Sequence, residues 1–268
     1  DGIRDTSHCL VGSEMCIRDS ILIAHQFTDQ TPLLVLANRD EFYDRPTAAA
    51  APWEECGELI AGRDLASGGS WFGARGLRWA SVTNFRENMH RHSHRSRGWL
   101  VRDYLLSKDP PQEFLLNIAE QGNEYAGFNL LLGDDKELWY CSNRGPAAQR
   151  LEPGIYGLSN HLLETPWPKV KRGKDALLGL MSYAQIDLDQ AFAILADTTL
   201  AADADLPDTG IPLAWERALS AAFISTKNYG TRCSTLLIRS TGNRHLFTER
   251  RFAASPADWE ESTFSWTA

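Results

Sequence analysis

The sequence predicts an α+β fold dominated by antiparallel strands. Three observations lead there. Short apolar runs come in meander-like groups, helical blocks lie between the groups, and strict strand–helix–strand alternation is absent. With 43% hydrophobic and 23% charged residues, the chain has enough apolar material for a sizeable core. No repeat or low-complexity linker divides it, so one soluble domain over residues 21–268 is expected.

Residues 21–26 and 33–38 read as a hairpin, with the polar turn Thr28-Asp29-Gln30-Thr31-Pro32 between them. A short strand follows at 59–62. Strands at 71–74 and 79–83 pair around Arg75-Gly76. Residues 86–97 are basic and histidine-rich and read as a loop. Leu100, Val101, Tyr104 and Leu105 then recur at helical spacing, and Pro110-Pro111 ends that helix and opens another. Strands are expected at 128–132, 138–141 and 155–159, and helices at 168–181, 188–197 and 213–221. The end is strand-rich, with 234–239 and 245–250 joined by Thr241-Gly242-Asn243.

A net charge of −8 argues against a general nucleic-acid or anionic-membrane binder, either of which favours a basic face. No run approaches the roughly 20 apolar residues of a membrane span. Five scattered cysteines, an odd number, do not read as a disulfide framework. A cytoplasmic location is therefore expected.

Residues 1–20 stand apart. They are polar and aperiodic, with a near-repeat of Ile3-Arg4-Asp5-Thr6 at Ile17-Arg18-Asp19-Ser20. Patterning begins abruptly at Ile21. The stretch resembles adapter-derived sequence joined to a truncated reading frame, the alternative being a disordered natural leader, and is expected to lie outside the fold.

The nucleotide-binding, zinc-protease and serine-hydrolase signatures are all missing, and no cofactor is expected. Polar runs at strand ends remain. Asn38-Arg39-Asp40-Glu41 follows a strand that is apolar through Ala37, so a strand exit is expected there. Arg39 offers a forked donor, and Asp40 could hold a nucleophile or orient Arg39. On composition alone, a solvated turn stitched by its own ion pairs is the favoured reading. Further runs contain Arg63, Asn84 with Arg86, Arg97, Asn160, and Arg232 with Cys233. His90, His92 and His94 share a face if extended, but in a basic loop they read as solvated, so no metal site is assigned. The arginines 86–102 could meet an anionic ligand. Cys141 and Cys233 read as packing residues.

Val35-Leu36-Ala37-Asn38-Arg39-Asp40-Glu41-Phe42-Tyr43-Asp44-Arg45-Pro46 resembles the signature of the NRDE family, also called the transport and Golgi organisation 2 family. Residues 61–71, 83–86, 96–98, 157–160 and 229–234 are similar to its later motifs, in order, so the resemblance covers about residues 21–255. It implies a four-layered αββα fold like that of N-terminal-nucleophile hydrolases. It also implies a cysteine amidohydrolase acting on a small non-peptide amide, with Cys as residue one and its own α-amino group as base. Arg39 would then sit beside the sulfur and Asp40 would hold the amine. Asn84 and Asn160 would line an oxyanion hole, and Arg232 would brace the pocket. Asn38, Glu41, Arg63, Arg86 and Arg97 are taken as ligand-binding. The alternative implied is a carrier of a hydrophobic anion such as haem or an acyl-CoA.

The chain departs from the family at the nucleophile. Met15-Cys16 looks like the family's start, but Ile17-Arg18-Asp19-Ser20 separates it from the strand. The pattern puts Cys near position 19. Cys16 is about three residues early, up to roughly 10 Å along an extended chain. An odd slip also turns its side chain to the opposite face. Cys16 is therefore read as a coincidence, and the native nucleophile as lost.

Overall fold

The computed structural model describes residues 19–86, 95–253 and 255–268. Thirteen strands among these residues build two antiparallel sheets. The first sheet has the order β10-β1-β2-β11-β12-β13. Its strands are β1 (Ser20–His25), β2 (Leu33–Phe42), β10 (Gly154–Leu158), β11 (Tyr229–Ser240), β12 (Arg244–Phe252) and β13 (Trp259–Thr267). The second runs β3 to β9 in sequence order. It comprises β3 (Thr47–Trp53), β4 (Cys56–Asp64), β5 (Phe72–Arg75), β6 (Arg78–Asn84), β7 (Phe128–Gly133), β8 (Leu138–Ser142) and β9 (Gln149–Leu151).

Period-two alternation along these strands produces the layers. In β2, Val35 and Ala37 enter the core between the sheets, with Phe72, Trp79 and Phe247. Leu34 and Leu36 enter a second core under helices α3 (Pro168–Leu180) and α4 (Leu188–Leu195). On the far sheet, Leu59, Ala80 and Leu130 pack against α1 (Gly98–Leu106) and α2 (Pro111–Gln121). The order is therefore helix, sheet, sheet, helix, as the family resemblance implies. Helix starts follow local chemistry. Pro111 and Pro168 open α2 and α3, where a missing N–H costs nothing. The Asp187 carboxylate accepts from the amides of Asp189 and Gln190 at the start of α4. The last helix, α5 (Leu213–Ala218), is short.

Three strands have no counterpart in the sequence reading. β3 reads Thr-Ala-Ala-Ala-Ala-Pro-Trp, poor in β-formers, and persists because it is an edge strand where Pro52 is tolerated. β9 is three residues long. β13 is a polar edge strand held along its whole length by β12. β1 begins at Ser20, with Asp19 buried just before it, so these two residues stand inside the fold.

Gly69 shows how tightly the β4–β5 loop meets α1. Ser70 N–H donates to the Gly98 carbonyl at 3.1 Å. A methyl group on Gly69 would lie 2.4 Å from the Gly98 carbonyl carbon, a backbone atom with little room to move. Gly69→Ala is expected to cost about 1–3 kcal/mol through overpacking. Urea denaturation checks this: the midpoint should fall at unchanged slope.

Candidate functional site

The Asn38–Glu41 run does not leave the sheet. β2 continues through Phe42 because β11 pairs with it from Leu33 to Phe42, satisfying its backbone on that side. The expected strand exit is thus the buried middle of a long strand, and Asp40 is 0% exposed. Composition alone did not reveal this, because four polar residues in succession mimic a turn. Alternation then divides the run. Arg39 and Glu41 point between the sheets, whereas Asn38 and Asp40 point towards the helices.

Between the sheets, Arg39 is buried and stacks 4.2 Å from the Trp71 ring centroid. It donates to Thr47 Oγ1 at 3.2 Å and lies 3.8 Å from the Glu41 carboxylate. Glu41 also faces Arg45 at 3.4 Å, and Arg45 donates twice to Asp64 Oδ2, at 2.8 and 3.0 Å. Burial pushes the Glu41 carboxyl above its ordinary value, although Arg39 opposes it. Burial also acts on Asp64, but there the hydrogen bonds from Arg45 prevail and hold the carboxyl low.

Two further acids and a thiol share this face. Asp19, at the head of β1, has its carboxyl pushed well up by burial, then by the charge of Asp40, with Arg39 opposing. Glu249 on β12 accepts from the Ala50 amide across the sheets at 2.7 Å, and burial raises it too. Cys233 lies opposite Arg39 on β11. Burial, then the charge of Glu249, pushes its thiol well up, so it is not an activated nucleophile. The sequence reading missed Glu249, and named position 19 only as the place the family's Cys would hold. A signal existed for Glu249: it follows Phe247 at i+2, which puts a carboxylate on the apolar face.

On the helix side, Asn38 Nδ2 donates to the carbonyls of Leu195 and Ala222, both at 2.8 Å. Its Oδ1 accepts from Ser234 Oγ at 2.5 Å. Asp40 accepts from Thr231 Oγ1 at 2.5 Å. The contacts that hold Arg39 come from Thr47, Glu41 and Trp71, on the opposite face of β2 from the Asp40 carboxylate. Between Thr231 and Cys233 the register slips by one residue, a β-bulge at Arg232. Arg232 donates to the carbonyls of Phe42 and Arg45, at 2.7 and 3.2 Å, bracing the end of β2.

Asn84 and Asn160 meet. Asn160 Nδ2 donates to the Asn84 carbonyl at 3.0 Å, and Arg86 N–H donates to the Asn160 carbonyl at 2.8 Å. Next door, Ser159 Oγ donates to the Asp19 carbonyl at 3.2 Å, which ties this pair to the head of β1. The amide nitrogen of Asn84 is buried and has no hydrogen-bond partner among the described residues.

The remaining arginines are engaged elsewhere. Arg86 makes a mostly buried ion pair with Glu216 at 2.8 Å and donates to Thr209 at 2.7 Å. Arg63 is bidentate to Glu55 and stacks on Trp53, on the α1–α2 side of its sheet. Arg97, just before α1, donates to the Gly127 carbonyl at 3.2 Å. Neither Arg63 nor Arg97 joins the Arg39 cluster. Cys16, His90, His92 and His94 lie outside the described residues. Among the described residues no group of His, Cys, Asp and Glu could hold a metal ion, and no helix is long and apolar enough to cross a membrane.

A separate cavity of about 410 Å³ opens between α3, α4 and the first sheet. Leu22, Leu158, Val170 and Ile194 make its wall largely apolar, and the buried Lys169 also lines it.

Comparison with known proteins gives the family. Residues 15–254 match the profile of a family described as Transport and Golgi organisation 2. A Transport and Golgi organization protein 2 homolog of Bos taurus is 34% identical over 251 residues, covering 86% of this chain and 91% of its own. The Homo sapiens homolog is 34% identical over 257 residues, covering 88% and 92%. The Drosophila melanogaster protein is 25% identical over 256 residues, covering 86% and 90%. This chain belongs to the Transport and Golgi organisation 2 family.

Proposed function

We infer that the head of β1 is the reaction centre of a cysteine amidohydrolase-type site for a small amide, and that Asp19 occupies the nucleophile's position in this chain. One observation carries the reading. Asp19 feels the charge of Arg39, and its carbonyl accepts from Ser159, the neighbour of Asn160, which in turn donates to the Asn84 carbonyl. In the thiol form, Arg39 would steady the sulfur as thiolate, and the contact of Asn84 with Asn160 would help form the oxyanion hole. Asp40, on the other face, would act through β2 rather than by touching the amine. As the chain stands, an internal aspartate with a raised pKa lacks both a strong nucleophile and a terminal amine, so the site binds amides without turning them over.

The test replaces residues 1–18 with a single Met and carries Asp19→Cys, so that Met removal exposes the cysteine. Turnover of small linear amides is expected, and it should vanish when the new cysteine is exchanged for serine. A correctly trimmed, folded protein that hydrolyses no member of an amide panel would overturn the reading.

A second reading is favoured by the apolar cavity with Lys169. There the protein carries a hydrophobic anion, such as haem or the acyl part of an acyl-CoA, away from the Arg39 cluster. Ligand that co-purifies with the protein and is lost in Lys169→Met, but kept when Asp19 is changed, would support it. Retention in Lys169→Met would count against it. A cytoplasmic setting goes with either reading, since Cys56, Cys141 and Cys233 are all unpaired.

A further inference from the structure

Among the described residues four strands end the two sheets, and three of them resist further pairing. On β10 the Gly157 N–H donates to Glu164 Oε1 at 2.6 Å, and the Gly157 carbonyl accepts from the Glu164 amide at 2.9 Å, so a loop already holds that edge. On β3 the register is irregular in two places, Pro52 has no N–H, and the Ala50 N–H is taken by Glu249. β9 is only three residues long. The fourth edge, β13, has none of these protections. It keeps an unbroken register with β12 over all nine residues, and it contains no Pro, Gly, Lys or Arg. Glu260 and Glu261 would by themselves discourage a neighbour, but Arg251 meets the first at 2.6 Å and Arg250 the second at 2.9 Å. No side chain or loop among the described residues bonds the outer backbone groups of β13. A long, regular edge with unpaired N–H and C=O groups is a template for another strand.

We propose that β13 pairs with β13 of a second copy of this chain, antiparallel, about a two-fold axis at Thr263, joining the two six-stranded sheets edge to edge. The strand is complementary to itself in that register. The exposed Trp259 meets the partner's Thr267, and Thr263 meets the partner's Thr263, both favourable cross-strand pairs. Glu260 faces the partner's Trp266, and Glu261 faces the partner's Ser265, so no carboxylate opposes another. The two Glu261 side chains are offset by about 13 Å along the strands, beyond the roughly 8 Å screening length at physiological salt. Head-to-tail growth would need a second open edge. The other three edges are protected, so the assembly closes at two copies.

The experiment is sedimentation velocity of the full chain over a wide range of concentration. A reversible monomer–dimer exchange is expected, with no larger species. On the unchanged protein, every second amide of β13 should gain protection from hydrogen exchange as concentration rises, which keeps the test independent of any variant. Thr263→Lys sets a lysine against a lysine on the axis, and should raise the dimer dissociation constant at least about tenfold. Ser265 reads the register. Ser265→Glu, set against the partner's Glu261, should weaken the dimer, whereas Ser265→Lys should not. Both positions are exposed, so the variants should melt as the parent monomer does. A chain that stays monomeric at every concentration would leave the edge to a strand of another protein and overturn the proposal. A dimer that Thr263→Lys leaves unchanged, growth beyond two copies, or equal weakening by Ser265→Glu and Ser265→Lys would overturn it as well.

Discussion

Arg39→Met is expected to lower folding stability by about 3–5 kcal/mol at neutral pH, because it leaves buried carboxylates without their cation. The side chain's volume is roughly kept, so the loss is electrostatic rather than a cavity. Arg39 opposes the upward shift of Asp19, Glu41 and Glu249 alike. The sign of the pH dependence follows. Each of these carboxyls titrates higher folded than unfolded, so each contributes stability that is present below its unfolded value and lost as pH rises through the folded one. Removing Arg39 raises the folded values further and enlarges that loss. The deficit of the variant should therefore be largest near pH 7.5 and shrink as pH falls towards about 5. Asp64 runs the other way, since its folded value is depressed and its stabilisation fades only in more acidic solution. Denaturant titration of both proteins at the two pH values checks the prediction. An equal deficit at both would mean that Arg39 acts through packing on Trp71 alone.

Asn38→Asp should cost a similar amount, about 3–5 kcal/mol, although it changes one atom. The amide donates to two carbonyls at 2.8 Å, from α4 and from the segment before β11. A carboxylate would turn an oxygen towards both. Both carbonyls would lose their donor, and a buried charge would appear with no cation beside it on that face among the hydrogen bonds described. Asn38→Ala keeps the first penalty and removes the second, so it should be the milder variant. Acidification should partly restore the aspartate variant, because a protonated carboxyl can again donate once. Hydrogen exchange at the end of α4 is the local readout. Protection there should fall before the global transition, and unchanged protection would show that Asn38 does not tether the helix.

Much of the fold was legible because its interior strands alternate or run apolar, and most helices repeat apolar residues at helical spacing. The pairs β1–β2, β5–β6 and β11–β12 all fall where turn residues separate such runs. What escaped were edge strands. β3 and β13 owe their conformation to a neighbour's backbone, and no periodic pattern of their own announces them. The site was half legible. Arg39, Asp40, Asn84, Asn160 and Arg232 stood out by chemistry and by family likeness; Arg39, Asp40 and Arg232 lie together along β2 and β11, and Asn84 meets Asn160. Their division between two faces of β2 did not stand out. It depends on the strand continuing to Phe42, and that depends on pairing with β11, nearly two hundred residues away. Arg63 and Arg86 looked available as isolated cations, but Glu55 on the nearby β3–β4 turn occupies the first and Glu216 on α5, distant in sequence, the second.

The bulge at Arg232 has a consequence for how such a chain can change over generations. Thr231 and Cys233 are two apart, and in a regular strand they would serve the same face. The extra residue sends one to Asp40 and the other to Arg39. Substitutions at 231 and at 233 are thereby uncoupled, and the helix-side and inter-sheet halves of the site can drift independently. Deleting Arg232 would leave Thr231 opposite Asp40 and Cys233 opposite Arg39 in one regular register, and would remove the guanidinium that donates to the Phe42 and Arg45 carbonyls. Along this stretch, a family lineage should accept replacements at 231 and at 233 separately, each constrained by its own layer.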